Sequence, residues 1–347
     1  MKYLITGGAG FIGCNIAART MSLNHDVVIV DDLSRLGSDK NLEWLRTKGN
    51  FTFEQIDIRD YDRICRLMRE HGPDVIIHEA AQVAVTSSVL SPREDFEVNA
   101  LGTLNLLEAT RRYVPSAIFI FASTNKVYGK LNQLDICEVD GRYEFKELTC
   151  GINEDFPLDF HTPYGCSKGV ADQYVRDYAR IYGLRTVVLR QSCVYGPRQF
   201  GIEDQGWVAW FTIAAFTGET ITIYGDGKQV RDILYVDDLI HVYFHAIENI
   251  DVAAGQIYNI GGSADNQISL LDLLDKLRVL INSDLHVEFS NWRVGDQRIY
   301  VSDVGKAKSE LSWMPETDID KGIRTVLDWV NKNLELVKST LSRAKNG

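Results

Sequence analysis

Short, continuous apolar runs alternate with helical patterns from the first residues of the chain. The runs are rich in Val and Ile, as expected for strands that are buried on both faces of a parallel sheet. Strands that alternate with helices predict an α/β fold, here a doubly wound parallel sheet of the Rossmann type. The predicted strands cover residues 3–5, 27–30, 74–78, 117–121 and 185–190, and the first helix covers 11–23.

The pattern changes after about residue 190, where glycines interrupt shorter elements. We therefore predict a Rossmann domain over residues 1–190 and a smaller substrate-binding lobe over 191–347, with chain crossings between them allowed. A final amphipathic helix is predicted over 319–334, and we expect the polar last dozen residues to fray. The lobe's other predicted elements are strands at 221–224 and 256–260 and helices at 236–248 and 270–281.

Composition excludes several classes of protein. The 347 residues carry a net charge of −11, so a general basic face for nucleic acid is not expected. The six cysteines form no C-x-x-C pair, which favours a reduced, cytoplasmic protein over a disulfide framework or a zinc site. No apolar run reaches the roughly 18 residues of a membrane span, and glycines interrupt the first apolar stretch too early for a signal peptide.

A glycine-rich turn follows the first predicted strand, in the pattern Gly7-x-x-Gly10-x-x-Gly13. Such glycines let the backbone approach a pyrophosphate, and the N-terminus of the next helix then offers free N–H groups. The second strand ends in Asp31, whose carboxylate would accept from ribose hydroxyls and repel a 2′-phosphate. The pattern favours NAD over NADP; the alternative is a structural turn beside a surface acid.

Further residues at strand ends complete the predicted cofactor site. Asp57 follows the third strand, where it serves equally well as a helix N-cap. Small residues after the fourth strand would let a cofactor lie close to the backbone. With the glycines and Asp31, the candidate NAD-binding residues are Phe11, Ile12, Asp32, Asp57, Ile58, Ala80, Ala81, Gln82, Asn99, Tyr164 and Lys168.

Three residues are the candidate catalytic group: Thr124, Tyr164 and Lys168. Tyr164 and Lys168 are four residues apart and share one face of a predicted helix. A free tyrosine is a poor base at neutral pH, and we expect a nearby ammonium and a positive nicotinamide ring to lower its pKa. Thr124 would hydrogen-bond the same substrate oxygen. A Y-x-x-x-K pair alone is weak evidence, because a structural tyrosine and a surface lysine give the same pattern.

Together these motifs resemble the extended short-chain dehydrogenase/reductase family, and the resemblance covers nearly the whole chain. It includes Arg190-x-x-x-x-Tyr195-Gly196-Pro197, the stretch from Gly225 to Asp232, and Asn259-Ile260-Gly261-Gly262. It implies that Arg231 and Arg298 hold the diphosphate of a nucleotide-sugar, with a surface salt bridge to Asp232 or Asp296 as the alternative. Arginine suits that role because its planar fork binds phosphate oxygens in pairs.

The residues after Thr124 indicate which reaction of the family to expect. Dehydratases of the family carry an Asp-Glu acid/base pair there, whereas this chain has Asn125 and Lys126. Asn125 does not ionise and Lys126 is a cation, so dehydration is disfavoured and oxidation followed by re-reduction remains. That is the minimal chemistry of an epimerase, and we assign no metal to it.

Within the family the chain resembles the CDP-tyvelose epimerase group. The resemblance lies in the run from Ser123 to Gly129, the stretch 158–169, Arg198-Gln199-Phe200 and the stretch 204–208. It implies C2 epimerisation of a CDP-linked hexose by a homo-oligomer, a dimer or tetramer. A 4-epimerase of a UDP- or CDP-hexose and a non-catalytic NAD-binding regulator are the alternatives. The candidate substrate-binding residues are Thr124, Asn125, Lys126, Gln191, Cys193, Gln205, Tyr224, Arg231 and Arg298.

Overall fold

The computed structural model describes residues 1–346, and its strands account for most of the predicted runs. In chain order the strands are β1 (Lys2–Thr6), β2 (Asp26–Asp31), β3 (Thr52–Gln55), β4 (Val75–His78), β5 (Ile118–Thr124), β6 (Ile136–Val139), β7 (Arg142–Phe145), β8 (Arg185–Gln191), β9 (Val194–Tyr195), β10 (Ile221–Tyr224), β11 (Val230–Asp232), β12 (Leu234–Tyr235), β13 (Ile257–Ile260), β14 (Gln267–Ser269), β15 (Val287–Ser290) and β16 (Ile299–Tyr300).

The helices separate these strands, as the alternating pattern predicts. They are α1 (Phe11–Ser22), α2 (Ser38–Leu45), α3 (Tyr61–His71), α4 (Val85–Leu90), α5 (Pro92–Phe96), α6 (Gly102–Tyr113), α7 (Thr162–Tyr182), α8 (Trp207–Thr217), α9 (Val236–Glu248), α10 (Ile250–Ala253), α11 (Leu270–Ile281), α12 (Gly305–Leu311), α13 (Ile319–Lys332) and α14 (Leu334–Asn346). A π-helical turn covers Glu97–Leu101, and 3₁₀ turns cover Asn125–Tyr128 and Ala264–Asn266.

Seven strands form one parallel sheet in the order β13-β8-β5-β4-β1-β2-β3. Successive side chains of a strand point to opposite faces, so each face of the sheet packs on its own helices. Leu4 packs with buried residues of α3, α6 and α7, whereas Ile5 packs with those of α1 and α9. The predicted Rossmann-type doubly wound sheet is confirmed.

The smaller lobe is built mainly from residues beyond 190. It contains the pair β10-β15 and the three-stranded sheet β14-β11-β16. The β6–β7 hairpin lies against this lobe, because Tyr143 donates its backbone N–H to the Lys228 carbonyl, 3.1 Å away. A segment from the first half of the chain therefore contributes to the lobe.

Two elements in the second half of the chain, β13 and α14, differ from the expected arrangement. The strand predicted within the lobe at 256–260 is β13, which pairs with β8 at one edge of the central sheet. Of the last dozen residues, which we expect to fray, 336–346 belong to helix α14, where Val337 and Thr340 are buried, and residue 347 lies outside the described residues. Within residues 1–346 no helix is long and apolar enough to cross a membrane.

Candidate active site

A cleft of about 710 Å³ lies where the strands of the central sheet end. Its walls come from the segments that follow β1, β2, β3, β4, β5 and β8, where open α/β sheets bind their ligands. Most of the predicted site residues line it: Gly7, Gly10, Phe11, Ile12, Gly13, Asp31, Asp32, Asp57, Ile58, Ala80, Ala81, Gln82, Thr124, Tyr164, Lys168, Gln191, Cys193 and Gln205.

The glycine-rich turn is closed to any larger residue. Gly7 has φ +65°, and a Cβ there would lie 2.6 Å from the Ala80 backbone nitrogen. A Cβ on Gly13 would lie 2.2 Å from the Gly7 carbonyl oxygen. The chain thus packs tightly on itself and starts α1 directly after Gly10, with the helix N-terminus at the cleft. This is the arrangement that an anionic diphosphate requires.

Asp31 holds the glycine-rich turn to the end of β2 through hydrogen bonds. Its carboxylate accepts from the backbone N–H of Ala9 at 2.9 Å and from that of Leu33 at 2.8 Å. Burial raises the pKa of Asp31, and these two backbone bonds act against the rise. Asp57 instead pairs with Arg59, with the Arg59 Nε 2.9 Å from one carboxylate oxygen, and this bond holds the pKa of Asp57 below its usual value.

Asn99 lies behind the cleft wall, on the π-helical turn. Its side chain accepts from the Gln82 backbone N–H and donates to the Gln82 carbonyl, both at 2.9 Å. It also donates to the Ser167 hydroxyl of α7 at 3.0 Å. Asn99 therefore ties the Gln82 loop to the helix that carries Tyr164 and Lys168.

The three candidate catalytic residues come together at one end of the cleft. Thr124 ends β5, and Tyr164 and Lys168 lie one turn apart near the start of α7. All three are buried. The Lys168 ammonium donates to the Ala122 carbonyl at 2.6 Å and lies over the Phe121 ring, 4.2 Å from its centroid.

The expected lowering of the Tyr164 pKa does not arise from the protein alone. Burial raises the pKa of Tyr164 to about 12; the Thr124 hydroxyl lowers it, and Asp95 raises it further. Burial also lowers the pKa of Lys168 to about 8, with Glu79 the largest opposing charge. Burial is the largest cause of both shifts, so the phenol of Tyr164 retains its proton until a further positive charge arrives.

The substrate-side candidates fall into two groups. Lys126 and Arg231 share one neighbour: Lys126 Nζ donates to the Gln297 side-chain oxygen at 3.3 Å, and Arg231 donates to the Gln297 carbonyl at 2.5 Å. Arg231 also pairs with Asp296 at 2.8 Å, and in this ion pair the arginine is buried and the carboxylate is partly exposed. Burial, and then Arg231, lower the pKa of Lys126.

The second group consists of Arg298 and Tyr224, which contact other side chains. Arg298 is exposed and lies over the rings of Tyr143 and Trp292, at 5.3 and 5.9 Å from their centroids. Tyr224 donates its hydroxyl to Glu203 at 2.7 Å and lies under the Arg293 guanidinium. None of the four residues Lys126, Arg231, Arg298 and Tyr224 lines the cleft described above.

Asn125 directly follows β5, and Cys193 lies just after the neighbouring strand β8. Asn125 is buried, and its side-chain oxygen lies 3.4 Å from the Thr124 hydroxyl. Cys193 lines the cleft and accepts from the Trp207 indole N–H at 3.5 Å. The cleft also contains the side-chain oxygens of Gln199 and Gln205, which have no hydrogen-bond partner within residues 1–346. Buried polar atoms of this kind are suited to a ligand that donates to them.

Glu79 lines the cleft directly after β4 but was not among the predicted site residues. Its carboxyl accepts a hydrogen bond from the Tyr243 hydroxyl of α9. A signal was present, since a charged residue stands at the end of the apolar run 75–78. Its partner lies 164 residues further along the chain, beyond the range of any local pattern.

Comparison with known proteins agrees with this geometry. Residues 3–261 match the model of the NAD dependent epimerase/dehydratase family. The chain is 45% identical to CDP-paratose 2-epimerase from Salmonella typhi, over 95% of this chain and 99% of that one. It is also similar to the crystal structure of UDP-glucose 4-epimerase with UDP-glucose from Thermotoga maritima, with a TM-score of 0.83, 32% identity, and 96% and 100% of the two chains covered.

A further solved structure is that of the Thermus thermophilus UDP-glucose 4-epimerase in complex with NAD. It has a TM-score of 0.80 and 31% identity, and the match covers 95% of this chain and 99% of that one. The chain belongs to the NAD dependent epimerase/dehydratase family.

Proposed function

We propose that this protein is an NAD-dependent epimerase that inverts C2 of a CDP-linked hexose, as in the conversion of CDP-paratose to CDP-tyvelose. The observation that carries the proposal is the convergence of Thr124, Tyr164 and Lys168 in a cleft that the glycine-rich turn and Asp31 also line. The 45% identity to a CDP-paratose 2-epimerase supports the choice of carbon and of nucleotide.

The cleft fits NAD on its own geometry. The turn at Gly7 and Gly13 leaves room for no side chain, so a diphosphate can lie against backbone N–H groups. Asp31 would accept from the ribose hydroxyls and would repel a 2′-phosphate. When bound, NAD supplies a hydride acceptor that later returns the hydride, and its positive ring charge favours the phenolate form of Tyr164.

In the proposed reaction Tyr164 takes the proton of the C2 hydroxyl while hydride leaves that carbon. Thr124 hydrogen-bonds the same oxygen and positions it between the two side chains. Lys168 carries the positive charge that stabilises the phenolate. The resulting 2-keto sugar presents its opposite face, and Tyr164 returns the proton to the oxygen as hydride returns to carbon.

The anionic part of the substrate needs cations near this end of the cleft. Lys126 and Arg231 lie together beside Gln297, and Asp296 neutralises only part of their charge. We propose that they bind the diphosphate and the sugar, with Cys193 as a close neighbour. Arg298 stacks on Tyr143 and Trp292, and it would reach the diphosphate only after leaving those rings.

A 4-epimerase is the second candidate, because the structural relatives include UDP-glucose 4-epimerases. The same tyrosine and cofactor would serve either carbon, and the position of the sugar in the cleft decides between them. Dehydration remains disfavoured, because Asn125 and Lys126 occupy the places where an acid/base pair would be needed.

A panel of CDP- and UDP-hexoses tests the proposal. Purified protein is incubated with each sugar, and the products are identified by NMR. We expect inversion at C2 of a CDP-linked sugar without added cofactor. Inversion at C4 alone would establish the second candidate, and the absence of any epimerised product would refute both.

A further inference from the structure

Glu79 belongs to a hydrogen-bonded chain that the proposed mechanism does not use. The Tyr243 hydroxyl donates to the Glu79 carboxyl, and the Gln191 side-chain nitrogen donates to the Tyr243 oxygen at 2.7 Å. Glu79 and Gln191 both line the cleft, whereas Tyr243 is fully buried between them. The chain therefore links two points of the cleft wall through the protein interior.

The Gln191 end of this series of hydrogen bonds lies beside the reacting oxygen of the proposed substrate. Gln191 ends β8 and is the register partner of Thr124 at the end of β5. Neighbouring residues on parallel strands present their side chains to the same face of the sheet. The polar atom that the Gln191 amide presents to the cleft therefore lies next to the Thr124 side chain.

The charge on Glu79 determines which group donates and which accepts in each of these hydrogen bonds. A carboxylate only accepts, so Tyr243 has to donate to it, and the tyrosine oxygen is then free to accept from the Gln191 NH₂ group. This leaves the Gln191 carbonyl oxygen for the cleft. A neutral Glu79 can donate instead, which would let Tyr243 donate to the Gln191 oxygen and would turn the NH₂ group to the cleft.

We propose that Glu79 is a positioning residue that acts through Tyr243 to present the Gln191 side chain as an acceptor for a sugar hydroxyl next to the reacting carbon. The inference rests on the proposed function, because the hydroxyl belongs to the nucleotide-sugar. It assigns substrate recognition to a residue, Glu79, that does not touch the substrate.

The surroundings of Glu79 allow its charge to change near neutral pH. Burial raises the pKa of Glu79 to about 7, and the Tyr243 bond and the Lys168 ammonium act against that rise. Its chain neighbour His78 points to the other face of the sheet, where its ring bonds the hydroxyls of Thr6 and Thr103. Glu79 is therefore ionised above about pH 7, and the acceptor is lost as the pH falls below it.

Two substitutions separate the effect of the Glu79 charge from that of the Tyr243 hydroxyl, which connects Glu79 to Gln191. Glu79→Gln removes the charge and keeps a group that bonds Tyr243, and Tyr243→Phe removes the relay and keeps the ring. Tyr258→Phe is the matched control, because Tyr258 donates to Glu310 at 2.8 Å in a tyrosine–glutamate pair outside the cleft. Steady-state kinetics with the epimerised sugar are measured from about pH 6 to about pH 8, together with the NAD content of each protein.

In the wild type we expect kcat/KM to fall as the pH drops through the Glu79 pKa and to level off about tenfold lower, at the value of Glu79→Gln. Glu79→Gln and Tyr243→Phe should both raise KM about tenfold and abolish this dependence, with unchanged NAD content and no further loss in the double variant. Tyr258→Phe should match the wild type. A Glu79→Gln or Tyr243→Phe protein with the wild-type pH profile, or loss of NAD confined to these two variants, would overturn the assignment.

Infrared difference spectra provide a readout that needs no turnover. A protonated-carboxyl band should grow in the wild type between about pH 8 and about pH 6 and be missing from Glu79→Gln. Its absence from a wild-type protein whose kcat/KM still falls toward pH 6 would show that another group causes the fall, and would overturn the inference. A wild-type protein with this band and no activity on any nucleotide-sugar would refute the proposed function instead.

Discussion

The ammonium group of Lys126 donates a hydrogen bond to the side-chain oxygen of Gln297, 3.3 Å away, and so joins segments 171 residues apart. The Gln297 NH₂ group donates in turn to the Gly129 carbonyl at 2.5 Å, and Arg231 binds the Gln297 backbone. The end of the catalytic strand and the arginine of the lobe are thus held together by one buried glutamine. This contact places a cation where the proposed diphosphate would lie.

Lys126→Met should raise the KM for the nucleotide-sugar by about tenfold or more, because a charge-assisted hydrogen bond to phosphate is worth about 1.5–3 kcal/mol. NAD content should not change, since Lys126 does not line the cofactor cleft. Steady-state kinetics and cofactor assay check both points. Lys130→Met, at an exposed position four residues away, is the control. An unchanged KM in Lys126→Met would remove this residue from the substrate site.

Tyr164→Phe should lower kcat by at least about two orders of magnitude, the usual scale for a positioned general base. The ring still fills its buried site, so the protein should fold and retain its cofactor. Tyr174→Phe, on an exposed part of the same helix, should behave like the wild type. If Tyr164→Phe turns over at the wild-type rate, another group carries the proton.

Gly7→Ala should abolish cofactor retention, because the new Cβ would lie 2.6 Å from the Ala80 backbone nitrogen. Gly72→Ala is a matched control: Gly72 also has a positive φ, but nothing lies within 4 Å of its would-be Cβ. Both variants carry the backbone strain of about 1–2 kcal/mol, and only Gly7→Ala distorts the cleft. Denaturing each protein and assaying the supernatant for NAD compares them. Equal NAD content in the two variants would contradict the account.

Much of this arrangement could be predicted from the sequence. The glycine turn, Asp31 and the Tyr164–Lys168 spacing are local patterns, and the structure brings them to one cleft. Strand β13 was expected in the smaller lobe rather than at the edge of the central sheet, because its partner β8 lies far away in sequence. The Glu79–Tyr243 hydrogen bond was not predicted for the same reason. The raised pKa of Tyr164 depends on its burial, which spacing alone does not report.

Lys168 should make the stability of the protein depend on pH in the alkaline range. Burial lowers the pKa of Lys168 to about 8, whereas an unfolded lysine titrates near 10.4. Between these values the unfolded chain binds a proton that the folded chain lacks, so the free energy of unfolding contributed by this residue rises with pH. Below about pH 8 both states are protonated, and the contribution is constant and unfavourable.

Denaturant unfolding of the wild type and of Lys168→Met, from about pH 7 to about pH 10, isolates this contribution from that of the tyrosines. The wild type should gain stability relative to Lys168→Met as the pH rises, by about 1.4 kcal/mol for each unit of pKa difference that has been titrated. Parallel pH profiles for the two proteins would show that Lys168 titrates normally in the fold.

The central claim is that the C2 hydride leaves the sugar and the same hydride returns. A CDP-hexose deuterated at C2, of the kind epimerised in the panel, is incubated with the protein in ordinary water, and NMR then locates the label. The account predicts that the epimer keeps deuterium at C2, because Tyr164 exchanges only the hydroxyl proton. Loss of the label to solvent, or inversion at C4 with C2 unchanged, would contradict it.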